Sequence, residues 1–129
     1  MRSLAIIAAA AALTAGCATA ADTRAVPGFD PAATTFTGWV RVTGGEFQLF
    51  ADQRQLRDRF ARPCVSGALP QNAQDAARDL NGSQVEFTGR AVAWASKGDR
   101  STINHEGSLI TNQCRGDYVI EAMTVRVLR

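Results

Sequence analysis

The feature that most constrains the fold is a period-two alternation of side chains between residues 36 and 43. Residues with apolar or no side chains alternate there with polar or amphipathic ones: Phe36, Gly38, Val40 and Val42 against Thr37, Trp39, Arg41 and Thr43. This alternation is typical of a β-strand with one buried face. Gly44-Gly45 is a two-residue turn signal, and residues 46–50 return as a second strand. The chain is therefore predicted to begin its fold with a β-hairpin.

Strands also outnumber helices in the rest of the sequence. Further strands are predicted over residues 62–69, 83–95 and 118–128, with a shorter extended piece at Leu109-Ile110. Asp52 is predicted to cap a short helix from Gln53 to Phe60, and Asn72 a second helix that runs to Leu80. Asn81-Gly82 then ends the second helix.

The side chains of the 83–95 strand do not keep a single alternation. Val85 and Phe87 share one face, whereas Val92 and Trp94 fall on the other unless Gly89 marks a β-bulge.

The order hairpin, strand, helix, long strand, loop, long strand resembles the OB-fold, a five-stranded partly open Greek-key barrel. The matching features are the glycine-interrupted first strand at Gly38 and the passage from Leu80-Asn81-Gly82 into residues 85–90. The chain is also similar to small OB-like proteins of the bacterial envelope. The resemblance covers residues 36–128 and implies a mainly β domain with one or two short helices. The helix at 53–60 is an insertion that the simplest OB pattern lacks, and a small α+β roll is the alternative fold.

The first residues are typical of an export signal. A positively charged start at Arg2 precedes an apolar run from Leu4 to Leu13, as in a secretory signal peptide. The run is shorter than the ~20 residues that a membrane-spanning helix needs.

Residues Leu13 to Cys17 resemble a bacterial lipobox, with Thr14 as a departure from the usual pattern. The resemblance implies cleavage before Cys17 and lipidation of that cysteine. Because Ala18 follows, we expect a lipid anchor in the outer membrane, with the domain facing the periplasm. Ordinary cleavage after Ala18-Thr19-Ala20, which would release a soluble periplasmic protein, is the alternative. The predicted organisation is a signal peptide (1–16), a flexible tether (17–35) and a single small domain (36–129).

The three cysteines lead to a disulfide prediction. If Cys17 carries lipid, Cys64 and Cys114 remain as a pair in an oxidising compartment. Two free thiols are the alternative. With a single histidine and no C-x-x-C or H-E-x-x-H motif, the sequence predicts neither a metal site nor a cofactor.

The charge balance and the motifs exclude some functions. With 14 basic and 12 acidic residues, the chain lacks the basic excess of a nucleic-acid-binding protein. His105 is the only imidazole, and no serine lies in a nucleophile motif. We therefore predict that the protein is not an enzyme, with a small periplasmic hydrolase using His105 as the alternative.

Two candidate surfaces remain. Arginines at 54, 57, 59 and 62 accompany Asp52 and Asp58, which favours a solvated, self-paired face over one that contacts lipid phosphates. The other surface combines aromatic rings with guanidinium groups. Alternation and the expected pairing of the first and fourth strands place four side chains on one outer face: Trp39, Arg41, Arg90 and Trp94.

These residues predict a membrane-anchored binding or accessory module of the cell envelope. Its expected partners are an envelope glycan, a lipid headgroup or a protein. Packing of both tryptophans in the core or under the tether is the alternative.

Overall fold

The computed structural model describes residues 26–129, so the predicted signal peptide and Cys17 lie outside the described range. The elements are β1 (Thr35–Thr43), β2 (Glu46–Phe50), β3 (Val65–Ala68), α1 (Gln74–Ala77), β4 (Gln84–Ala93), β5 (Ile103–His105), β6 (Ser108–Ile110) and β7 (Tyr118–Val127). Short 3-10 helices span Gln53–Arg57, Gln71–Ala73, Arg78–Leu80 and Trp94–Lys97. Across residues 26–129, none of the helices has the length and apolar character to cross a membrane.

Five strands form a closed barrel in the order β1-β2-β3-β7-β4, with β4 pairing back to β1. β3 and β7 are parallel and the other barrel pairs are antiparallel. With α1 between β3 and β4, this is an OB-like barrel, as the sequence predicts. β5 and β6 form a separate hairpin, inserted between β4 and β7.

The barrel interior is filled by the inward face of each strand. Phe47 on β2 and Phe87 on β4 stack across it, with ring centroids 3.9 Å apart. Gly67 on β3 lies beside them, and a Cβ there would come within 2.5 Å of the Phe47 ring and of the Ile120 carbonyl. A glycine at this position therefore lets β3 approach the aromatic core.

The predicted helix at 72–80 forms in three short pieces, of which only α1 is α-helical. Its first turn begins at Gln71 behind Pro70, so Asn72 is not the cap. Ala77 and Leu80 are buried against the barrel core, as the apolar stripe predicts. Gly82 has a φ of +89°, the left-handed conformation expected just after a helix.

A β-bulge interrupts the pairing of β4 with β7 at Gly89. Thr88 pairs with Thr124 and Gly89 with Ala122, so the extra residue is Met123 on β7. β4 therefore keeps its alternation, and Val92 faces away from the barrel interior.

Residues 26–33 pack on the end of the barrel, although the sequence assigns them to the tether. Val26, Phe29 and Ala33 contact the main core. The Phe29 ring centroid lies 5.6 Å from that of Phe36 and 6.2 Å from that of Tyr118. Because these apolar side chains are shielded there, residues 26–33 are part of the folded domain.

Candidate functional site

The surface on which OB-folds usually bind ligands is covered in this protein. That surface is the outer face of the second and third strands, between the loops that flank it. Here residues 108–114, which we call the cover segment, lie across it. Glu46 on β2 accepts hydrogen bonds from the Thr111 amide at 2.6 Å and the Gln113 amide at 2.8 Å. On β3, the Ser66 hydroxyl accepts one from the Cys114 amide at 2.9 Å.

Both ends of the cover segment are fastened to the barrel. At one end the Ser108 hydroxyl donates to the Leu69 carbonyl at 2.6 Å. At the other, a disulfide joins Cys114 to Cys64, just before β3, with 5.4 Å between the Cα atoms. This bridge confirms the predicted pairing. The β2–β3 face is therefore buried by the chain itself.

The register of β1 and β4 separates the two tryptophans of the predicted patch. The strands are neighbours, as predicted, but Trp39 pairs with Gln84, the first residue of β4. Trp94 begins the 3-10 helix that follows the last residue of β4. Ten residues of strand span roughly 33 Å. The four residues therefore do not form one surface.

Trp39 and Arg41 lie beside the connection between β2 and β3. Trp39 is half-buried against Phe50 and the disulfide. The Arg41 guanidinium lies 5.1 Å from the Phe50 ring centroid. It also donates to four carbonyls of the 53–60 segment: Leu56 at 2.8 Å, Asp58 at 2.9 Å, Arg59 at 3.3 Å and Gln55 at 3.4 Å. Arg41 thus fixes this segment to β1.

Arg90 and Trp94 lie at the other end of β4. Arg90 forms an ion pair with Glu121 on β7, with both Nε and Nη2 at 2.9 Å from Oε1. Trp94 is half-buried against Ile110 and Val119 outside the barrel. Lys97 Nζ lies 5.0 Å from the Trp94 ring centroid.

His105 is buried beneath the β5–β6 hairpin, with 7% of its surface exposed. Its Nε2–H donates to the Ala122 carbonyl at 2.7 Å, next to the β7 bulge. Its Nδ1 lies 3.9 Å from Glu121 Oε2, too far for a hydrogen bond. Within residues 26–129, His105 forms no hydrogen bond to a serine hydroxyl, and Ser108 opposite it donates to Leu69. These contacts tie the hairpin to the barrel.

A groove of about 710 Å³, which we call the end groove, opens at the end of the barrel where β4 stops and β7 starts. Trp94 and Tyr118 line it, together with Asn112, Arg115 and Asp117. Tyr118 is 37% exposed. In the part of the chain that the structure describes, the Arg115 guanidinium forms no hydrogen bond or ion pair. Two aromatic rings and a free guanidinium therefore share one concave surface.

The backbone around the end groove is held in an uncommon conformation. Asn112 and Arg115 have φ values of +61° and +56°. The side-chain amide of Asn112 closes the turn. Its Nδ2 donates to the Gly116 carbonyl at 2.8 Å, and its Oδ1 accepts from the backbone amide of Gly116 at 3.2 Å. Left-handed residues other than glycine are costly and are concentrated at functional sites. The sequence predicts no helix or strand over residues 112–117, where Asn112 and Gly116 are residues common in turns.

A second cleft, of about 570 Å³, lies between β1 and the segment that follows the first 3-10 helix. We call it the arginine cleft, because Arg41, Arg59 and Arg62 line it together with Phe60 and Gln113. Phe60 is 79% exposed. Arg62 Nη2 donates to the Gln113 carbonyl at 2.9 Å.

Asp52 caps the 3-10 helix that leads into the arginine cleft. Its carboxylate accepts from Arg54 Nη2 at 2.7 Å and from the Arg54 amide at 2.9 Å, while its own amide donates to Gln55 Oε1. The side-chain hydrogen bond to Arg54, followed by the backbone one, lowers the pKa of Asp52 from 3.8 to about 2.

No metal site is evident among residues 26–129, where no three His, Cys, Asp or Glu side chains are grouped as ligands. Comparison with known proteins finds no matching family model, no similar curated protein and no similar solved structure.

Proposed function

We propose that the protein is a lipid-anchored, non-catalytic binding module of the bacterial cell envelope that takes an envelope glycan in the end groove. The observation that carries this proposal is the convergence of Trp94, Tyr118 and Arg115 on one open groove. Aromatic faces pack against the apolar faces of sugar rings, and guanidinium groups donate to their oxygens.

Two features support a location in the envelope. The lipobox at Leu13–Cys17 implies export and lipidation, and disulfides such as Cys64–Cys114 persist in oxidising compartments. We further propose the outer membrane, on the periplasmic side, because Ala18 follows the cysteine.

The position of the N-terminal segment supports a site close to the membrane. Phe29 contacts Tyr118, a residue of the end groove. Val26 lies nine residues after Cys17, a stretch that can span at most ~30 Å. A lipid on Cys17 would therefore keep this groove within about that distance of the bilayer surface.

The hydrolase alternative has weaker support. A general base needs a free nitrogen close to the proton that it removes. Because His105 Nε2–H donates to Ala122, Nδ1 is the free nitrogen, but the imidazole is buried and lines neither cleft.

The test is a titration of the full chain carrying Cys17→Ser with soluble peptidoglycan fragments, followed by NMR of the two indole N–H signals. We expect the Trp94 signal to shift and the Trp39 signal to stay, with Trp39→Phe providing the assignment. Tyr118→Ala and Arg115→Ala should each weaken binding at least fivefold. Phe60→Ala is the control, since it removes an exposed aromatic ring outside the groove. If binding is absent, or is unchanged by both groove variants, the glycan proposal is wrong.

A further inference from the structure

We propose a second binding site: the arginine cleft takes the phosphate of an anionic lipid headgroup, with the Phe60 ring against the apolar part of that lipid. The site is separate from the end groove, and its residues come from β1, β2, the connection between β2 and β3, and the cover segment.

The charge of the cleft favours an anionic ligand. Three guanidinium groups line it, and none of the residues that line it is acidic. The Arg59 guanidinium forms no hydrogen bond or ion pair with another described residue. Arg62 uses only Nη2, for the Gln113 carbonyl, and keeps its Nε and Nη1 donors. Guanidinium groups match phosphate oxygens in geometry and charge, which favours a phosphate ester.

The nearby carboxylates leave part of this charge in place. Glu46 is buried and accepts the Gln113 amide, and two aspartates lie in the 52–58 segment. Asp52 is engaged with Arg54, outside the cleft. Asp58 accepts the Phe60 amide at 2.9 Å, and it does not line the cleft. The segment from Asp52 to Arg62 carries four arginines against these two aspartates, and Arg41 adds a further positive charge. The local charge is therefore net positive.

The cleft is organised before any ligand binds. Arg41 donates hydrogen bonds to backbone carbonyls of the 53–60 segment and so holds that segment in place. These bonds use the donors of Arg41 but leave its positive charge in the cleft. Cys64 lines the far side and is fixed by the disulfide. A pre-organised site loses less conformational entropy on binding.

The exposed Phe60 ring favours a lipid over a free phosphate as the ligand of the cleft. Its ring is 79% exposed, although it lies beside the arginines that line the cleft. An exposed aromatic ring next to cationic groups suits the boundary between headgroups and acyl chains.

The location of the cleft agrees with a membrane ligand. Phe50 lines both the arginine cleft and the cavity beneath residues 26–30. The cleft therefore lies near the segment that leads to Cys17; this step rests on the proposed lipid anchor.

The experiment is an amide NMR titration of the full chain carrying Cys17→Ser, which reports on the site without the anchor. The probes are short-chain phosphatidylglycerol below its micelle concentration, short-chain phosphatidylcholine and glycerol phosphate. We expect phosphatidylglycerol to shift the amides of residues 59–62 and to bind at least fivefold more tightly than either other probe. Arg59→Ala and Arg62→Ala should each weaken it at least fivefold, and Phe60→Ala should remove its advantage over glycerol phosphate.

Arg57→Ala is the matched control, because it removes one charge from the same segment but does not line the cleft. An equal loss in Arg57→Ala and Arg59→Ala would mean diffuse electrostatics and would overturn the site. Equal binding of both lipids would overturn the requirement for an anionic headgroup, because phosphatidylcholine carries the same phosphate but no net charge. Equal binding of glycerol phosphate and phosphatidylglycerol would overturn the lipid as the ligand. Absence of shifts at 59–62 would overturn the whole proposal and leave the glycan proposal standing.

Discussion

One carboxylate oxygen of Glu46 accepts two hydrogen bonds from Thr111, from the backbone amide at 2.6 Å and from the hydroxyl at 2.8 Å. The two residues are 65 positions apart in the chain, and Glu46 is 3% exposed. A buried carboxylate with several N–H and O–H donors is satisfied only as an acceptor. This pairing makes the cover segment part of the fold.

Glu46→Gln should lower the free energy of unfolding by about 1.5–3 kcal/mol, because the amide group of glutamine would face donors that need an acceptor. Urea denaturation measures the change. The matched control is Glu86→Gln, since Glu86 pairs with Arg126 on the surface at 3.1 Å. That variant should cost less than ~0.5 kcal/mol. Equal costs would mean that the Glu46 bonds contribute no more than a surface pair.

Removal of the disulfide should destabilise the whole domain. The bridge closes a loop with a sequence separation of 50, for which chain entropy gives about 4 kcal/mol. A double Cys64→Ala and Cys114→Ala variant should lose about that much in urea denaturation. Ser66→Ala, which loses only the hydrogen bond to the Cys114 amide, is the milder comparison. Unchanged stability of the wild type under reducing conditions would contradict this expectation.

Leu80→Ala should cost roughly 2–5 kcal/mol of unfolding free energy, because Leu80 is buried against the barrel with 6% of its surface exposed. Leu109→Ala makes the same substitution at a leucine that is 55% exposed, and it should cost under ~0.5 kcal/mol. Thermal or urea unfolding of both variants measures the difference. A loss of unfolding free energy under ~0.5 kcal/mol in Leu80→Ala as well would place the helical segment outside the core.

The Asp52 cap should be sensitive to acid. Its folded pKa of about 2 lies below the ordinary 3.8, so the ionised form favours the folded cap. This contribution is complete above pH ~4 and is lost as the pH falls through about 2. A carboxyl NMR titration should give a midpoint near 2, and Arg54→Gln should move it back towards 3.8. A midpoint near 3.8 in the wild type would show that the Arg54 bonds do not form in solution.

Replacement of Cys17 by Ser should release the protein from the membrane fraction if the lipobox is functional. The thiol is the acceptor of the lipid, and several acyl chains give a stable anchor, whereas one chain alone is marginal. Cell fractionation and mass spectrometry of the N-terminus measure the change. A wild-type protein that is already soluble and begins near Ala21 would rule out the anchor.

Local patterns in the sequence predict the strands and the fold, because strand periodicity and turn glycines act over a few residues. The alternation from Phe36 to Val42 appears as β1, and Gly82 adopts its predicted left-handed conformation. The OB-like order of the elements follows from these local patterns.

The candidate sites depend on relationships that local patterns do not contain. Alternation indicates which face Trp39 occupies, but the register that pairs it with Gln84 depends on the closed barrel. Gly89 indicates a bulge, yet the extra residue is Met123 on the partner strand. The cover segment depends on pairs such as Glu46 and Thr111, which only the folded chain brings together.

Closure of the barrel also limits how this domain can add strands from other chains. Each of the five barrel strands has a neighbour on both sides over part of its length, so none is an edge strand from end to end, the kind of strand on which intermolecular β-pairing begins. In the range 26–129, the strands with a single neighbour are β5 and β6 of the hairpin, each three residues long. The domain therefore offers few unpaired backbone groups to a strand of another chain. We expect its association with other proteins to depend on side-chain surfaces.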